Sequence, residues 1–97
     1  MKIITVCGMG MGSSLILKMT IDSVLQKEGI KDVWIEHSDL GMAKALEPDL
    51  FAVSCDMKEI FEDLGKKFVT VASVFDENAV RDTVLPAVKE FLGMEGS

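Results

Sequence analysis

Apolar positions along the chain follow two periods in turn. Lys2 to Val6 carries Ile3, Ile4 and Val6 in a short, mostly β-branched run, which predicts a buried strand. Cys7 to Gly12 then reads as a glycine-rich turn, with Ser13 and Ser14 as residues suited to cap a helix. Leu17, Ile21, Val24 and Leu25 recur at helical spacing up to about Glu28, and Gly29 stands where a left-handed stop is wanted. A second strand is predicted over Val33 to His37, and a short helical segment over Leu40 to Leu46, ended by Pro48. Leu50 to Ser54 predicts a third strand, and Met57 to Leu64 a short helix stopped at Gly65. Phe68 to Val74 predicts a fourth strand, closed by the polar cluster Asp76-Glu77-Asn78. The last helix carries Val80, Val84, Val88 and Leu92 on one face. Pro86 falls inside it, so the helix either kinks or starts a new turn with Pro86 at its first position.

The order is therefore βαβαβαβα. Such alternation with short links predicts parallel strands, right-handed crossovers and helices on both faces of an α/β sandwich. Ligands of an open parallel sheet bind beyond the carboxyl ends of its strands. The loop from Cys7 to Ser13 leaves the carboxyl end of the first strand. Fold and loop thus point to one place.

That loop, Cys7-Gly8-Met9-Gly10-Met11-Gly12-Ser13-Ser14, sets three alternating glycines after a cysteine, between a strand and a helix. Glycines let main-chain amides turn inward, and successive inward amides form an anion-binding nest. The helix start adds unpaired N–H groups and a positive dipole end. Ser13 and Ser14 supply hydroxyls or cap the helix. The pattern suits an anion of phosphate size, with the Cys7 sulfur at its base. A thiol near a helix N-terminus is also expected to have a lowered pKa. Against this stands the plainer reading, a small apolar cysteine and turn glycines.

Other glycine-loop chemistries do not fit. The dinucleotide pattern would need Gly where Ser13 stands, and the nucleotide P-loop a Gly-Lys pair that the chain lacks. A Cys phosphatase loop holds an arginine where this loop has Ser13, and the one arginine of the chain, Arg81, falls on the last helix. Without that guanidinium to hold phosphate and offset transition-state charge, the loop points to receiving and passing on a phosphoryl group rather than hydrolysing it.

The run Cys7 to Met19 resembles the start of an enzyme IIB component of the bacterial phosphoenolpyruvate-dependent sugar phosphotransferase system (PTS), in the lactose, galactitol and ascorbate group and closest to the ascorbate type. The resemblance implies a four-stranded parallel sheet of order 2-1-3-4, flanked by helices, with a phosphatase-like loop. It implies that a phosphohistidine on a IIA protein charges Cys7 as a phosphocysteine nucleophile. Gly8, Met9, Gly10, Met11, Gly12, Ser13 and Ser14 would cradle the phosphate. The group would then pass to a sugar held by the membrane IIC transporter, L-ascorbate first and galactitol as runner-up. No cofactor or metal is expected. The alternatives are a hydrolase like the low-molecular-weight Cys phosphatases, or a redox or anion-binding module.

Other residues carry plainer expectations. His37, the one histidine, reads as a surface residue at a strand end, and Cys55 as a buried structural thiol. Asp56 reads as a helix cap before Met57, and Ser54 as a weak extra donor at the site. Met9 and Met11 suit an adaptable apolar rim, Met19 and Met57 the core, and Lys18 solvent.

Composition narrows the class. The chain has 97 residues, 48% of them hydrophobic and 27% charged, with a net charge of −6. This predicts one domain over residues 1–97. The acidic balance argues against nucleic-acid or anionic-membrane binding. No run approaches the length of a spanning helix and no leader pattern opens the chain, so no direct membrane insertion is expected. Two cysteines are too few for a disulfide framework, and a cytoplasmic location is the expectation.

Overall fold

The computed structural model describes residues 1–8 and 11–93. Four parallel strands form one sheet: β1 (Lys2–Val6), β2 (Trp34–His37), β3 (Leu50–Ser54) and β4 (Phe68–Val71), in the order β2-β1-β3-β4. Between them run α1 (Met11–Lys27), α2 (Leu40–Ala43) and α3 (Lys58–Leu64), and α4 (Glu77–Leu92) closes the series. The expected α/β sandwich and strand order are therefore observed.

Alternation along the strands sorts the core into two layers. Ile3, Cys7, Leu50 and Ala52 face one side with Leu17, Ile21 and Leu25 of α1 and Val80, Val84 and Val88 of α4. Ile4, Val6, Phe51 and Val53 face the other, against Ala43, Met57 and Phe61. Phe61 is fully buried, with its ring centroid 5.0 Å from that of Phe51 and 5.8 Å from that of Phe68. The two central strands are apolar on both faces because both are covered, as parallel pairing requires.

Several boundaries move. β4 ends at Val71, three residues before the expected Val74, because the chain turns over Val74 and Phe75 before Asp76. The Asp76 carboxylate accepts the N–H groups of Asn78 and Ala79 and so caps α4. α2 is one turn long, capped by Asp39 accepting from the Met42 N–H. Gly29 and Gly65 have the left-handed φ expected of helix stops, 72° and 68°.

The largest shift concerns α1. It opens at Met11, so Gly12, Ser13 and Ser14 lie inside its first turn instead of before it. Ser14 is buried, and its carbonyl accepts the Thr5 hydroxyl at 2.8 Å. That bond pins the start of α1 to β1, and the expected capping role of Ser13 and Ser14 is overturned. Met9 and Gly10, two of the expected cradle residues, lie outside the described residues.

α4 continues unbroken past Pro86, which is exposed on its solvent side. Proline has no N–H for the carbonyl of Asp82 one turn earlier, so this turn lacks a helix bond. Replacing Pro86→Ala should raise unfolding free energy by on the order of 1–3 kcal/mol in urea titration. An unchanged or lower midpoint would show that the ring makes a compensating contribution.

Candidate functional site

The β1–β3 register sets Val6 beside Val53, so the next residue of each chain segment, Cys7 and Ser54, leaves the sheet together. The chain beyond Ser54 then tightens into a 3₁₀ turn over Cys55–Met57. This turn, the end of β4 and the first turn of α1 enclose a depression of about 390 Å³ lined by Cys7, Ser13, Ser54, Cys55, Asp56 and the 71–75 segment. The site thus lies beyond the carboxyl ends of β1, β3 and β4, where a parallel sheet is expected to bind its ligand. Cys7 and Ser13, two of the expected site residues, share it.

Cys7 is only 7% exposed and sits among the apolar residues of the α1–α4 layer. Burial pushes its thiol pKa up, and the Asp56 carboxylate adds to the rise. Hydrogen bonding to the Ser54 hydroxyl and main chain pulls the other way with less effect. This corrects the expectation of a lowered pKa. The cysteine does lie near a helix start, yet desolvation and a neighbouring negative charge outweigh what that start supplies, and the sulfur rests as a thiol at neutral pH.

Gly8 has a packing role that the sequence does not announce. Its N–H donates to Ser54 Oγ at 3.1 Å, so that amide is already engaged. Among the described glycines, positive φ is confined to Gly29, Gly65 and Gly93, so neither Gly8 nor Gly12 uses a left-handed turn. Gly8 is needed for space. A methyl group there would occupy the place of Asp56 Oδ2 and press on Met57 Sδ. Gly12 opens onto free space at the start of α1. Among the described residues, the start of α1 and the nearby Ser13 hydroxyl are the groups beside the sulfur suited to an anion.

Four lesser expectations are corrected. Asp56 caps no helix: neither the 3₁₀ turn nor α3 has a side-chain cap, and the carboxylate turns back to Gly8 and Cys7 instead. Cys55 is exposed, with its Sγ 3.4 Å from the Val71 carbonyl; both cysteines are free thiols. Met19 is 63% exposed and not core, because it falls on the outer face of α1, whereas Met57 is buried as expected. His37 is half-buried, paired in register with Thr5, and its Nδ1 is shut from solvent with no hydrogen-bond partner among the described residues. Ser54, expected only as a weak extra donor, follows Val53 as Cys7 follows Val6, and its hydroxyl holds the loop by accepting the Gly8 N–H. Lys18 is half-buried and lies towards Glu36 of β2, whose carboxyl pKa is lowered first by a hydrogen bond with Trp34, then by Lys2, and least by Lys18.

Phe75 is strongly exposed on the rim, and with Met19 and Ile16 it lines a second, adjoining depression. Among the described residues no group of three or more His, Cys, Asp or Glu is placed to hold a metal ion. No described helix is long and apolar enough to cross a membrane.

In a Cys55→Ala background, alkylation of Cys7 should show a pH midpoint above the ~8.5 of a free thiol, since a raised pKa delays thiolate formation to higher pH. A midpoint below that value would contradict the electrostatic reading of the site.

Comparison with known proteins gives three findings. Residues 2–84 match the family model described as PTS system, Lactose/Cellobiose specific IIB subunit. The chain is 28% identical over 87 residues to the "Ascorbate-specific PTS system EIIB component" of Mycoplasma pneumoniae, covering 87% of this chain and 90% of that protein. Its fold is similar to the lactose-specific IIB domain of Streptococcus pneumoniae, with a TM-score of 0.57, 18% identity, and 96% and 95% of the two chains covered.

Proposed function

Because this chain belongs to the lactose/cellobiose-type family of PTS IIB subunits, we propose that it performs that family's sugar phosphotransfer through a phosphothiol on Cys7. The observation that carries the reading is the placement of Cys7 at the carboxyl end of β1, in one depression with Ser13 of the α1 first turn.

The reaction has two halves. In charging, a phosphohistidine of a IIA protein presents its phosphorus to Cys7 Sγ. The N–P bond breaks, the S–P bond forms, and the thiol proton ends on the departing imidazole. That imidazole is itself a base able to take the proton, so a sulfur that rests protonated is no obstacle. In discharge, a hydroxyl of the sugar bound by the membrane IIC component attacks phosphorus, the S–P bond breaks, and the hydroxyl proton returns to sulfur. The phosphoryl oxygens face the α1 first turn and Ser13, while Gly8 and Ser54 hold the sulfur's segment still. Positioning and charge compensation are most of what phosphoryl transfer asks of a protein.

L-Ascorbate is the proposed acceptor, on the strength of the ascorbate-specific relative. Galactitol is the runner-up. The chain acts as one domain in the cytoplasm, with the exposed Phe75 and Met19 beside the site suited to contact with partner proteins. The hydrolase reading is disfavoured by the neutral Ser13 at the position an arginine would hold.

Incubating the full chain with a phosphorylated IIA protein should add one phosphate to the Cys7 peptide by mass spectrometry, and Cys7→Ser should abolish it. With vesicles containing the IIC transporter, the label should pass to ascorbate and not to lactose. An adduct that persists in Cys7→Ser would overturn the assignment.

A further inference from the structure

The Asp56 carboxylate is not needed to cap a helix and is not drawn into an ion pair with any described residue. It nevertheless turns inward. Its Oδ2 fills the place where a side chain on residue 8 would begin, directly beside Cys7. Among the described residues lining the depression with Cys7, Asp56 is the one charged side chain. The other elements contribute uncharged groups: Ser13 from α1, Ser54 from β3, Ser73 after β4, and Cys55 from the same 3₁₀ turn. A phosphate site would be expected to present positive charge there, as phosphate-binding loops do with lysine or arginine. This one presents a carboxylate.

We propose that Asp56 sets the phosphoryl transfer potential of Cys7, its negative charge opposing the phosphothiol and so driving the group onward. The proposal rests on the Cys7 carrier reading. A phosphorylated sulfur brings about two negative charges into a site whose one fixed side-chain charge is already negative. The uncharged thiol escapes that repulsion. The carboxylate therefore raises the charged form of the carrier relative to the empty one, without touching the bonds that change. Charging still breaks N–P and forms S–P, with the thiol proton on the imidazole. Discharge still breaks S–P and forms O–P, with the hydroxyl proton on sulfur. Asp56 shifts both equilibria toward discharge by the same factor and acts only through the field at the sulfur. The same field disfavours a bare thiolate between turnovers, which limits oxidation of the empty carrier, because the thiolate is the reactive form.

The test compares the full chain with Asp56→Asn and Asp56→Glu. Asp56 is exposed, so the variants should fold, which thermal melting checks. Equilibrating each with a phosphorylated IIA protein, Asp56→Asn should raise the equilibrium constant for Cys7 phosphorylation about fivefold or more, and Asp56→Glu should return it most of the way. In the Cys55→Ala background the alkylation midpoint of Cys7 should fall by about half a pH unit or more in Asp56→Asn, a readout that needs no phosphoryl donor. Normal charging of the wild type, with an equilibrium unmoved in Asp56→Asn, would overturn this proposal and leave the carrier reading standing. A wild type that takes no phosphoryl group, while the alkylation midpoint still shifts, would overturn the carrier reading and this proposal with it.

Discussion

The parallel pairing of β1 with β3 is the constraint on which the site depends. With Val6 held beside Val53, Cys7 emerges next to Ser54. The turn that follows then brings Cys55 and Asp56 round to the same depression. A slip of one residue would turn Cys7 to the opposite face, away from α1, and bring Ile4 and Val6 to the α1 side in its place. The apolar side chains that fill both faces of these two strands fix that register. The Thr5 bond to the Ser14 carbonyl then fixes where α1 begins above it. Core packing and site geometry are the same constraint seen from two sides.

That geometry balances opposed electrostatic influences on one sulfur. Burial and Asp56 favour the neutral thiol, while the Ser54 hydrogen bonds and the start of α1 favour negative charge. A hydrolytic enzyme profits from a permanently ionised nucleophile. A carrier has a different requirement, since it must take a group and then lose it. A sulfur that is stabilised as an anion only weakly, in a loop without a guanidinium, suits transient occupancy. The exposed Phe75 and Met19 alongside leave room for a protein to approach without disturbing the core beneath.

Much of this was legible in the sequence because each feature has a local cause. Strand and helix alternation, the glycine stops at Gly29 and Gly65, and the valine stripe of α4 follow from short-range periodicity, and the structure has them. Cys7 stood out because a cysteine between a strand and a glycine-rich turn is unusual in itself. The misreadings share one origin, in contacts that are distant along the chain. Ser13 and Ser14 look like caps, yet the tie from Thr5 lies in another element. Asp56 looks like a cap, yet its partner is the space left by Gly8, 48 positions away by number. The thiol pKa follows from burial beneath α1 and α4, which no window around Cys7 contains. Met19 has the right spacing for a buried residue but lies on the outer face. No periodicity argument marks His37 as a residue whose Nδ1 is closed off beside Thr5.

The central claim is that phosphorus becomes bonded to the sulfur of Cys7, and phosphorus-31 NMR on the full chain with a phosphorylated IIA protein tests it most directly. The account predicts a new resonance in the thiophosphate ester region, absent from Cys7→Ser and lost when IIC vesicles and the acceptor sugar are added. A spectrum holding only the donor phosphohistidine and inorganic phosphate would contradict it.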